Sequence, residues 1–171
     1  MGTRELIDAT EEALHNVAEP RFLQTERGFH GRFYCALQQV LEKKGLLENG
    51  CILEMEYQKS ARHGMSQRPD IVLHVPAEES GAVVGENNFG VWALKRQASK
   101  SKALEDFDKL DEMFETLRYP LGIFVNVDTR HNRADCYIGR FPERLRSVAV
   151  WADNTIHTSW DSPIKARRIG T

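Results

Sequence analysis

The sequence predicts a mixed α/β domain. Three observations carry that reading. Residues 25–44 and 101–118 repeat apolar side chains at helical spacing, residues 51–95 switch to short strand-like runs, and a further apolar run follows at 121–127. The 171 residues suit one domain with a single core, and 41% apolar with 28% charged residues is ordinary for a globular chain.

Residues 4–18 read as a first helix, closed by Pro20. The second helix, Thr25 to Lys44, carries Phe29, Phe33, Ala36, Leu37, Val40 and Leu41 on one stripe, with Gly45 as its C-terminal stop. Strands are expected at 51–58, at 69–75 with Pro69 at the start, and at 89–95. A polar loop covers 76–88. The helix from Ser101 to Arg118 has an apolar face of Ala103, Leu104, Phe107, Leu110, Met113, Phe114 and Leu117, and Pro120 ends it. Strands at 121–127 and 134–141 follow. Pro142 is expected to open a short helix, PERLRSVA, and the basic tail after Trp160 is expected to be loose. The order is α-α-β-β-β-α-β-β-α, with no repeat or linker.

No apolar run approaches the roughly 20 residues that cross a bilayer, and Met1–Glu12 is too polar and acidic for a secretory signal. Cys35, Cys51 and Cys136 have neither metal-ligand spacing nor an even count, so a reducing, cytoplasmic location is expected. Cys35 reads as a small buried hydrophobe. A net charge of −2 argues against a bulk-basic nucleic-acid binder but leaves room for a local patch. KRQASKSK at 95–102 is such a patch. The acidic run Glu105, Asp106, Asp108, Asp111, Glu112 and Glu115 reads as a solvated helix face.

Strand alternation places Asp70, Val72 and His74 on one face, and Phe89, Val91, Ala93 and Lys95 on one face. If the two strands are neighbours, Asp70 and Lys95 meet. That pair alone is equally an ordinary ion pair. Glu26 adds weight: it lies three residues before Phe29 and seven before Phe33, on the buried stripe, where an unpaired carboxylate is costly. It is either a first-turn helix-dipole or capping group or an acid facing the sheet. His30, one turn on, is either a structural histidine or a group for substrate contact or proton transfer.

ERGFHGRFYCAL, LEMEYQK, RPDIVLH and VWALKR, in that order, resemble the motifs of the PD-(D/E)XK nucleases over about residues 26–127. The resemblance implies a restriction-endonuclease-like αβββαβ core, a central mixed sheet flanked by helices, within one domain of residues 1–171. It implies that Asp70 is the metal-binding aspartate and Lys95 the motif lysine. Leu94 would offer its backbone carbonyl to the metal, and Glu26 is the helical acid. Glu56 would be a further acid, with Glu54 on the same strand face as its substitute. Ala93 stands in the place of the motif acid. The cofactor implied is Mg²⁺, with Mn²⁺ as substitute, because such sites use hard oxygen ligands.

The expected function is metal-dependent hydrolysis of DNA phosphodiester bonds, by a site that Ala93 leaves inactive in this chain. The alternative is a nuclease-fold module that only binds nucleic acid within a larger complex. A basic rim of Lys59, Arg62, His63, Arg68, Arg96, Lys100 and Lys102, with Gln97 and His30, would contact phosphates or bases. DNA is the expected partner, no membrane is, and a homodimer would serve double-strand cutting.

Overall fold

A six-stranded mixed sheet organises the chain, and its order follows the sequence. The computed structural model describes residues 1–17, 19–55, 69–76 and 87–163. The strands are β1 Ile52–Met55, β2 Ile71–His74, β3 Asn88–Arg96, β4 Gly122–Val127, β5 Leu145–Ala152 and β6 Ile156–Asp161. The first three pair antiparallel, β3, β4 and β5 run parallel, and β6 returns antiparallel to β5.

Helices cover both faces. α1 (Thr3–Asn16) and α2 (Glu26–Lys43) pack on the face that carries Ile71, Leu73, Trp92, Leu94, Ile123 and Val125. α3 (Lys100–Thr116) packs on the other, against Val72, Val91, Ala93 and Phe124. The period-2 alternation of β2 and β3 therefore sorts residues between two cores, as pleating requires. Trp92, fully buried, donates from Nε1 to Thr10 Oγ1 at 3.1 Å, and Thr10 donates on to Leu6 O at 2.7 Å. This polar thread ties β3 to α1 and satisfies the indole N–H inside the core.

The helix ends follow their local chemistry. Thr25 Oγ1 accepts from Gly28 N at 3.2 Å and caps α2. Gly45 takes φ +66, its N–H donates to Glu42 O, and Leu46 N donates to Leu41 O at 2.9 Å, which closes the last turn. Ser99 Oγ caps α3 by accepting from Lys102 N.

The sequence order holds through β4 and then departs. Residues 134–141, expected as a strand, form a 3-10 turn, Ala134–Cys136, followed by a loop. Asp111 explains the difference. Its carboxylate accepts from Tyr137 OH and from Arg140 N at 2.7 Å, so α3 takes bonds a sheet neighbour would otherwise supply. The expected helix from Pro142 is instead a turn that leads into β5 at Leu145. Residues 145–152 lie between β4 and β6, hydrogen-bonded on both sides, and Val148 and Val150 are fully buried. A central sheet position outweighs a weak local helix signal. Part of the expected loose tail, up to Asp161, belongs to β6.

Two smaller expectations also fail. Cys35 is exposed, because it lies beside the α2 stripe and not on it. The acidic run of α3 is not wholly solvated, since Asp106 is 4% and Asp111 8% exposed.

Candidate functional site

β2 is shorter than β3, and the site lies where β3 outruns it. The pairing of Ile71 with Trp92 carries Asp70 to a place beside Ala93. There the Asp70 carboxylate acts as the missing strand partner, and its Oδ2 accepts from Leu94 N at 2.7 Å. Further along the same edge, α2 takes over. His30 Nε2 donates to Leu94 O at 3.3 Å, and Glu26 Oε2 accepts from Arg96 N at 3.2 Å. An open sheet edge needs such partners for its backbone groups. The first turns of α2 are thus held against the end of β3.

Lys95 projects to the α3 side of the sheet, like Val91 and Ala93. Its Nζ is 3.6 Å from Glu26 Oε1. Asp70, Ala93 and Lys95 line one small cavity of about 30 Å³, together with Asp106 and Lys109 from α3. Burial alone would lower the Lys95 pKa, but the carboxylates of Asp106, Glu26 and Asp70 outweigh it and hold the ammonium above its ordinary range. Burial pushes the Asp70 carboxyl up. The Leu94 N–H, His30 and Lys95 oppose that rise, and Asp106 adds to it as a like charge.

Asp106 was missed by the sequence reading. It belongs to the apolar stripe, three residues after Ala103 and four before Leu110. The stripe logic that singled out Glu26 applies to it equally. Its Oδ1 accepts from Lys109 Nζ at 2.8 Å, while its Oδ2 is buried without a hydrogen-bond partner among the described residues.

The cavity adjoins an open cleft of about 520 Å³, lined by Glu26, Lys95, Arg96, Gln97, Lys102 and Lys109 among others. Several of its cations are engaged. Arg96 donates to Leu23 O and, from NH2, to Asp128 Oδ2 at 2.6 Å. Gln97, at φ +50, donates to the same Asp128 oxygen. Lys102 pairs with Glu105 at 2.7 Å. Arg96 and Gln97 thus brace the turn after β3. Asn126 completes that turn by accepting from Ala98 N and donating to His131 O. Lys100 is exposed. Glu54, the alternative strand acid, is tied to His74 Nε2 at 2.6 Å. Glu56, Lys59, Arg62, His63 and Arg68 lie outside the described residues.

Among the described residues, no group of three or more His, Cys, Asp or Glu side chains could hold a metal ion. The donors at the cavity are two carboxylates, Asp70 and Asp106, with the Leu94 carbonyl on the same edge. All are hard oxygens, which suit Mg²⁺, and the partnerless Asp106 oxygen fits a cation. Among the described residues, no helix is long and apolar enough to cross a membrane. The chain matches no protein family, no curated protein and no solved structure.

Proposed function

We propose that the chain carries the site of a restriction-endonuclease-like, metal-dependent nuclease that acts on DNA phosphodiesters and lacks one acid, at Ala93. One observation carries this reading. Asp70, Ala93 and Lys95 share a cavity at the edge of β3, with Glu26 and His30 of α2 closing that edge. The run α2-β1-β2-β3-α3-β4 is the αβββαβ order that the resemblance implies.

Asp70 and the Leu94 carbonyl would hold Mg²⁺. The carbonyl retains a lone pair for this beside its bond from His30. Bound there, the ion would polarise a phosphate oxygen and acidify a water. Lys95, kept protonated by its acidic neighbours, stabilises negative charge developing on the phosphate; it is a poor base. Glu26 holds the Lys95 ammonium toward the cavity mouth and steadies Arg96 N. The cleft beyond, with Lys102 and Lys109, gives the backbone of a nucleic acid a track. A pair of such sites in a homodimer would cut both strands.

Because Ala93 offers no carboxylate, cleavage by this chain is weak or absent. A second reading, a module that binds DNA without cutting it, rests on that same alanine. The test is a nuclease assay of Ala93→Glu with Mg²⁺ or Mn²⁺ on single- and double-stranded DNA. Metal-dependent cleavage is expected. A folded, DNA-binding variant that cuts neither substrate would leave only the binding module.

A further inference from the structure

Asp106 is the one carboxylate of the cavity whose position no strand motif explains. It reaches the sheet from α3, across from Asp70, and is 4% exposed. Lys109 satisfies one of its oxygens, and the other is buried without a hydrogen-bond partner among the described residues. A buried polar atom left unpaired costs about 1–3 kcal/mol, and more when charged. Such a group persists where something else pairs with it.

The surroundings narrow what that is. Asp70 and Asp106 line one cavity, and two carboxylates that share so small a space repel each other. Two carboxylates, Asp70 and Asp106, and two ammonium groups, Lys95 and Lys109, line the cavity, and Glu26 draws on the Lys95 ammonium from the cleft side. The group that relieves both the repulsion and the orphaned oxygen is a cation. The cavity of about 30 Å³ has room for a body the size of one water, and the open cleft that shares Lys95 and Lys109 with it gives space for the waters a divalent ion retains. Ala93 lines the same cavity and brings no carboxylate to it.

We propose that Asp106 and Asp70 together bind a divalent cation in this chain, with Asp106 supplying from the helix the carboxylate that Ala93 does not supply from the strand. The inference rests on the nuclease reading for the identity of the site, and it adds one ligand, Asp106, to the Asp70 and Leu94 carbonyl of that reading. The chain as it stands holds Mg²⁺ or Mn²⁺ without any substitution at position 93.

The experiment is Mn²⁺ binding to the full chain, read by loss of the free Mn²⁺ paramagnetic resonance signal and by competition with Mg²⁺. The unsubstituted chain, Asp106→Asn, Asp70→Asn and Ala93→Glu are compared. Asp106→Ala is carried beside Asp106→Asn, and thermal melts report folding of each. The unsubstituted chain is expected to bind Mn²⁺, with Asp106→Asn and Asp70→Asn each weakening it by about tenfold or more. Binding lost in Asp70→Asn but kept in both Asp106 variants would overturn the role of Asp106 and leave the nuclease site standing. No binding to the unsubstituted chain, with binding to Ala93→Glu, would do the same. No binding to any of them would overturn both. Binding lost equally when Asp106 is replaced, but only in variants that no longer fold, would overturn a ligand role and make Asp106 a structural residue.

Discussion

Replacing Ala93 with glutamate should destabilise the metal-free protein and make its stability depend on Mg²⁺. Ala93 is 8% exposed and lines a cavity of about 30 Å³ with Asp70 and Asp106. Forcing extra atoms into a packed site costs about 1–3 kcal/mol. A third carboxylate adds repulsion: a pair of charges about 5 Å apart interacts by about 3 kcal/mol at an effective dielectric of about 20. Lys95 and Lys109 cancel most of that term. A net loss of about 2–4 kcal/mol follows, or about 4–16 °C in Tm for a chain of this size. An ion bound only by the folded form at about 100 times its Kd returns about 2.7 kcal/mol. Melts followed by circular dichroism, in chelator and in saturating Mg²⁺, measure both effects. The Tm of Ala93→Glu should fall in chelator and recover in Mg²⁺, and adding Asp70→Asn should remove the recovery. An Ala93→Glu Tm that does not rise on adding Mg²⁺ would refute the reasoning, because the new carboxylate would then not face a metal.

Exposed Lys100, changed to alanine together with Arg62, should weaken DNA binding and flatten the dependence of log affinity on log salt by roughly 2; titrations at several ionic strengths measure the slope. Gly139→Ala should destabilise by about 1–3 kcal/mol in urea unfolding, since an added Cβ would overlap Asp111 Oδ2 and Tyr137 OH, the groups that hold the 137–141 loop to α3. Thiol alkylation at neutral pH, mapped by mass spectrometry, should modify exposed Cys35 before Cys51, whose thiol burial pushes up to about 11; denaturant should abolish the difference.

Where hydrophobic period and local caps agree, the sequence is a good guide to this fold. α2 is bounded by Thr25 and Gly45, and its stripe of Phe29, Phe33, Leu37 and Leu41 is the buried face. The alternation in β2 and β3 likewise puts Val72, Val91 and Ala93 in one core. What escapes the sequence depends on partners distant in the chain. Residues 134–141 alternate like a strand, yet a carboxylate at position 111 turns them into a loop. Residues 142–149, PERLRSVA, read as a helix opened by Pro142, yet from Leu145 on β4 and β6 claim the backbone on both sides. At the site, Asp70, Lys95 and Glu26 were legible because each breaks or completes a pattern. Arg96 and Gln97 read as free rim groups because Asp128, which holds both, is more than thirty residues away. Asp106 was hidden by its neighbours Glu105 and Asp108, which make a buried acid look like part of a solvated run.

The central claim, that the edge of β3 at Asp70 is a metal-dependent phosphodiesterase site short of one acid, is tested most directly by cleavage rates in a double-mutant comparison. Ala93→Glu, Asp70→Asn and the double variant are assayed on DNA with Mg²⁺ and Mn²⁺, with DNA affinity measured for each. Cleavage should appear in Ala93→Glu alone, and the double variant should lose it while binding DNA as well as before. Asparagine keeps the shape of Asp70 and its bond from Leu94 N but not the charge, so loss of cutting with binding intact isolates the metal. Cleavage by the double variant at the rate of Ala93→Glu would contradict the account, because Asp70 would then have no part in the chemistry.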